Sequence, residues 1–113
     1  MNDENSKSIR LVLVTFPKNR EYLEFVKGMV ESKLAAGVNV VSVNSLYWWR
    51  GKVEESEEVL LIIKTSEGAV EQLREFIIRN HPYEVPQIVV VSPDYVYKPY
   101  LEWVLEYTAR GGN

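Results

Sequence analysis

An α+β sandwich, with one antiparallel sheet covered on one face by two helices, is the fold this sequence predicts. Three observations predict it. Short β-branched runs alternate with segments of helical period in the order β-α-β-β-α-β, and one more helix follows. The two middle strands meet at Arg50-Gly51, with no helix between them. Two right-handed split βαβ units around that hairpin give the ferredoxin-like arrangement.

Residues 1–7 are polar and read as a disordered lead. Ile9 to Thr15 are β-formers, apolar on both faces, as suits a central strand. Phe16-Pro17-Lys18-Asn19 stops it, and Asn19 is the predicted N-cap of the first helix, with Glu21 in the first turn. Tyr22, Phe25, Val26, Met29, Val30 and Leu34 recur at helical spacing on one face. Gly37 is the predicted C-terminal cap. Val38 to Val43 is β-branched and reads as the second strand, continuing through a bulge predicted near Asn44-Ser45 into Leu46-Tyr47-Trp48-Trp49.

After the turn, Val53 to Thr65 reads as the third strand. At about 13 residues it exceeds the usual strand, which predicts a bend or a projecting arm. Thr65 or Ser66 is expected to cap the second helix, with Glu67 and Glu71 near its start and Val70, Leu73, Phe76 and Ile77 buried. Asn80-His81-Pro82 ends that helix, and Gln87 to Val91 is the fourth strand. Pro99 suits the first turn of a last helix, with Leu101, Val104, Leu105 and Thr108 on one face. One domain is expected over 8–109, followed by a tail over 110–113.

The bulk numbers exclude several classes. With 46% hydrophobic and 26% charged residues, the composition is that of a globular domain with one core. A net charge of -3 argues against sequence-independent nucleic-acid binding, which leans on surplus Lys and Arg. No cysteine is present, so a disulfide framework, a zinc-cysteine site and a thiol nucleophile are all ruled out. The polar N-terminus and the lack of an apolar run near ~18 residues predict a cytoplasmic protein with no membrane partner. An RNA-recognition module would need its aromatic Gly-Phe strand, and an acylphosphatase-like enzyme a glycine-bearing arginine loop after strand one. Neither is present.

The stretch Tyr47-Trp48-Trp49-Arg50-Gly51-Lys52-Val53-Glu54-Glu55 is the most informative. Leaving a large apolar side chain in water forgoes about 1.5–3 kcal/mol, so something is expected to cover this hairpin. The sheet gives a second reason to expect self-association. Its strands are apolar on both faces, as Val12 with Val14 and Leu60 with Ile62 illustrate, and two helices cover only one.

Here the residues resemble a known family. Tyr47-Trp48-Trp49-x-Gly51-Lys52-Val53-Glu54-Glu55, then Ile63-Lys64-Thr65, then His81-Pro82-Tyr83-Glu84-Val85-Pro86, are similar to the CutA divalent-cation tolerance family. The Thr15-Phe16-Pro17 corner and Tyr100-Leu101-x-Trp103 extend the match, so that it covers about residues 9–108 in order. The resemblance implies a ferredoxin-like subunit in a PII-like homotrimer, sheets inward and long hairpins reaching to neighbours. It implies a link to tolerance of copper and other divalent metals, with no catalytic reaction established and no cofactor required. Relatives often carry one cysteine near the end of strand one and another after helix one. Here those places hold Val14 and Ala35-Ala36-Gly37-Val38-Asn39. Of the copper ligands proposed for the family, only His81 remains.

The candidate site residues carry competing readings. His81 is either a cap on the helix end or, with Glu84, a metal ligand; one imidazole and one carboxylate fall short of a closed site. Glu54, Glu55, Glu57 and Glu58 are either a solvated face that protects a strand edge or oxygen ligands for a hard divalent cation. Tyr47, Trp48, Trp49 and Trp103 read as subunit-interface anchors or as a platform for a planar ligand. Arg50, Lys52 and Lys64 pair with the glutamates or bind an anion between subunits. The function expected is a non-catalytic homotrimer in divalent metal-ion tolerance, with weak metal binding, copper or another divalent cation. The alternative is a PII-like trimeric sensor of a small anion or nucleotide.

Overall fold

The computed structural model describes residue 6 and residues 8–108. Four strands and three helices follow in the order β1 (Ile9–Pro17), α1 (Tyr22–Glu31), β2 (Gly37–Trp49), β3 (Lys52–Ser66), α2 (Val70–Asn80), β4 (Val89–Val91) and α3 (Lys98–Glu106). The strands form one sheet in the order β2-β3-β1-β4, every neighbouring pair antiparallel. β3 thus lies between β1 and β2, and β1 between β3 and β4. These are the two split βαβ units that the element order predicts. The predicted tail and, apart from Ser6, the predicted lead lie outside the described residues. Ser6 itself is buried, and its Oγ accepts the Val96 amide at 2.8 Å.

Alternation along the strands sends Val12, Val14 and Phe16 of β1 and Val59, Leu61 and Ile63 of β3 to one face. There they pack with Phe25 and Met29 of α1 and Leu73 and Ile77 of α2. Among the described residues, the opposite face is covered at one end only. Leu101 and Val104 of α3 cluster with Ile9 and Ala36, and Thr108 Oγ1 lies 3.0 Å from Ser66 Oγ. Beyond α3, Leu13, Leu60 and Ile62 are half-buried, while Val41, Val89 and Val91 are exposed.

Several sequence-based expectations change at element ends. Asn19 does not cap α1, whose N-cap position is Glu21. Nor does Gly37 end it. Lys33 does, in the left-handed region at φ 61°. Its N–H donates to Val30 O at 3.0 Å and Leu34 N–H donates to Met29 O at 2.9 Å, the paired bonds of a Schellman motif. Buried Met29 and Leu34 supply the apolar contact that accompanies it. Gly37 serves another purpose: a Cβ there would stand 3.3 Å from the Trp103 ring, so glycine lets α3 seat against the start of β2. A non-glycine residue in the left-handed region is strained. Lys33→Gly should therefore raise stability by about 0.5–1 kcal/mol in urea denaturation. No gain in midpoint would mean that the motif is not strained.

Neither Thr65 nor Ser66 caps α2 through its side chain. Thr65 Oγ1 donates instead to Leu34 O at 2.7 Å, tying β3 to the end of α1, and a 3-10 turn over Glu67–Ala69 precedes α2. The fourth strand is shorter than Gln87–Val91, since only Val89 to Val91 pair with β1.

No bulge interrupts the hairpin. β2 and β3 pair in one register from Gly37↔Lys64 to Trp49↔Lys52. Arg50 and Gly51, at φ 51° and 79°, make the two-residue turn with both central residues left-handed, whose twist suits a hairpin. β1 pairs with β3 only as far as Glu58, so residues 52–57 and their β2 partners form the predicted arm.

Candidate functional site

A cleft of about 860 Å³ lies between this arm and the segment that follows α2. The arm contributes Asn44 to Trp49, and Glu58 joins them from the β3 position next to the arm. Pro82 to Val85 and Gln87 form the opposite wall, and Thr15 lies at the base. It brings together two motifs from distant parts of the sequence, the Tyr-Trp-Trp hairpin and the His-Pro-Tyr-Glu-Val-Pro segment.

A chain of aromatic contacts connects this wall to the core. Phe25 lies 5.8 Å from Phe76 and stacks on Phe16 at 4.7 Å; Phe16 meets the His81 ring at 5.1 Å; His81 meets Tyr83 at 4.8 Å. The histidine is buried, and both ring nitrogens are engaged. Nδ1 accepts the Tyr83 N–H at 3.1 Å, so Nε2 carries the proton and donates to Thr15 O at 2.7 Å. Burial lowers the His81 pKa, opposed by the Thr15 carbonyl and the Glu58 charge. His81 follows α2 as expected, yet the carbonyl it satisfies belongs to β1 and not to the helix. Metal coordination through either nitrogen would have to break one of these bonds.

Glu84 stands apart from that arrangement. It is exposed, and its Oε1 lies 3.8 Å from an Arg50 nitrogen at the hairpin tip. The same guanidinium sits 5.5 Å from the centroid of the Trp49 ring. Arg50 therefore links the hairpin tip to Glu84 on the opposite wall.

The four candidate glutamates of β3 separate. Glu54 and Glu55 lie opposite Tyr47 and Leu46 and are exposed. Glu57 approaches Lys18 at 3.9 Å, also in solvent. Glu58 is 4% exposed, and its Oε2 accepts the Tyr83 hydroxyl at 2.5 Å. Burial, then this bond and the Glu58 charge, raise the Tyr83 pKa far above its usual value, so Tyr83 remains a donor at neutral pH. Among the described residues, no group of three or more His, Cys, Asp or Glu converges as a metal site.

The candidate basic residues do not converge either. Arg50 lies in the turn and Lys52 starts β3, while Lys64 lies twelve residues along β3 from Lys52, roughly 40 Å away at strand spacing. Lys64 is buried, its Nζ donates to Asn39 Oδ1, and burial lowers its pKa. Of the aromatic set, Trp48 is 75% exposed on the arm, Tyr47 and Trp49 line the cleft, and Trp103 packs 5.3 Å from Tyr100 on α3, away from the other three.

Comparison with known proteins places this geometry. Residues 10–107 match the family model for the CutA1 divalent ion tolerance protein. The chain belongs to this family. It is 39% identical to the divalent-cation tolerance protein CutA of Pyrococcus horikoshii over 88% of this chain and 98% of that one. It is 38% identical to the Protein CutA of Mus musculus over 94% of this chain but spans only 60% of the mouse protein's length. Among solved structures, a PII-like CutA from Nostoc sp. PCC 7120 superposes with a TM-score of 0.85 at 31% identity, covering 89% of this chain and 98% of that one. Membership confirms the ferredoxin-like CutA fold expected from the hairpin and His-Pro-Tyr motifs. The buried Glu58–Tyr83 pair was missed by sequence reading; Tyr83, one residue before Glu84 in the family motif, was the only available hint.

Proposed function

We infer that this CutA family member serves divalent-cation tolerance as a cytoplasmic homotrimer and catalyses no reaction. Family membership across residues 10–107 is the observation that carries this reading. Assembly is supported by the apolar surface of the described residues: Leu46, Trp48 and Val53 on the arm are 58–75% exposed, and Val41, Val89 and Val91 are exposed on the sheet face beyond α3. The PII-like description of the Nostoc relative supports a PII-like plan for the assembly. Since no ligand set converges among the described residues of one chain, metal contact in this reading is weak or uses carboxylates from neighbouring copies. Such oxygen donors favour hard divalent cations over copper(I).

The test has two parts. A bacterial host deleted for its own family member should regain growth on raised copper or zinc when this chain is expressed, and the purified protein should have three times the 13.1 kDa chain mass. Failure of complementation by well-expressed protein would overturn the tolerance role, and a monomer mass would overturn the assembly. Tight nucleotide binding in a calorimetric panel, without metal, would favour the sensor alternative.

A further inference from the structure

Glu58 is a largely buried carboxylate that keeps one oxygen for the cleft. A carboxylate taken out of water normally finds a cation or a full set of donors. Glu58 is 96% removed from solvent, yet among the described residues it forms no ion pair. Its one hydrogen bond, from Tyr83, occupies Oε2. The imidazole whose pKa responds to its charge, His81, has both nitrogens committed elsewhere. Glu58 lines the cleft, and among the described residues Oε1 takes no hydrogen bond; it is not sealed off, so it meets the solvent of the cleft.

The walls suit a positive nitrogen. Tyr47 and Trp49, on one side of the ribbon, and Tyr83 provide aromatic rings, and aromatic faces attract cations. The second carboxylate in the cleft is Glu84. The protein already displays the pattern once, since Arg50 places its guanidinium over Trp49 and beside Glu84. The volume falls within the range of small-molecule sites, about 300–1,000 Å³.

We propose that this cleft binds a cationic nitrogen, an alkylammonium or guanidinium group, with Glu58 Oε1 as its anchor and the arm aromatics as its wall. The group comes either from a free amine or from a basic side chain of a second copy, and the chemistry is the same. The inference stands independently of metal tolerance, because it uses one carboxylate and aromatic faces and no set of metal ligands.

Tryptophan fluorescence and calorimetry test it, with butylammonium and agmatine as probes, butanol as the neutral counterpart, and sodium chloride at matched ionic strength. Saturable binding of both amines, absent for butanol and sodium, at least tenfold weaker in Glu58→Gln and with no change in solution mass, assigns the site to a free amine. No amine binding, together with a smaller mass in Glu58→Gln that Glu58→Asp does not share, assigns the cation to a neighbouring subunit. Glu84→Gln alters an exposed side chain, so it folds regardless; it should weaken the amines about threefold by removing one nearby charge. Equal amine binding in parent and Glu58→Gln overturns the proposal. So does absent binding with an unchanged mass in Glu58→Gln.

Discussion

If the proposed trimer forms, a chain carrying Trp48→Glu should run in solution at one chain mass and the parent at three. Trp48 is 75% exposed in the single chain, so replacing it costs the subunit's own fold little. In an assembly that covers the arm, the same change buries a charge and removes a large aromatic anchor. Anchors of that kind are worth about 2–4 kcal/mol when truncated, and an unpaired buried charge adds to the loss. Leu23→Glu is the control, since Leu23 is 56% exposed on α1 and lies away from the arm. It should leave the mass unchanged. Equal mass and equal melting temperature for Trp48→Glu and parent, by light scattering and calorimetry, would remove the arm from the interface.

The second large effect is expected at His81. His81→Ala leaves the Thr15 carbonyl and the Tyr83 N–H without partners and opens a gap between Phe16 and Tyr83. Each orphaned buried group costs about 1–3 kcal/mol, so a total loss of about 2–4 kcal/mol is expected after partial relaxation. Loss of metal binding in this variant would therefore say little about coordination unless folding were measured too. A pH profile isolates the histidine. Its folded pKa lies below the ordinary value of about 6.5, so between the two the unfolded chain binds a proton that the native chain does not. The stability contributed by neutral His81 is complete above about pH 6.5 and is lost as pH falls through the folded pKa. It is the only histidine. The urea midpoint should accordingly fall between pH 7 and pH 5 in the parent, and fall less in His81→Gln. The same slope in both would contradict a buried, neutral imidazole.

The element order, the sheet and the arm were legible because they rest on periodicity and turn residues, which are local. What was not legible depended on distance in the sequence. Glu58 looks like its neighbours Glu54, Glu55 and Glu57 in the sequence; only contact with Tyr83, 25 residues on, sets it apart. His81 reaches Thr15 across 66 residues, so its bond to a strand carbonyl could not be inferred from its place at a helix end. The cap on α1 was misplaced because Lys33 adopts a conformation that favours glycine, while the nearby Gly37 is required by Trp103. The bulge near Asn44-Ser45 was inferred from polar residues interrupting an apolar run. The pairing shows that the run changes because the arm leaves the core, with no shift of register.

The unbroken pairing of the arm limits how its length can vary. Trp48 and Trp49 are adjacent in β2, so they point to opposite sides of the ribbon. Removing one residue from each arm strand, between these tryptophans and the sheet, would exchange the sides they present. Removing two from each would keep the sides and draw the tip in by about 7 Å. Insertions and deletions compatible with the same tryptophan-bearing surfaces should therefore come in even steps on each strand, which makes arm length a quantised trait.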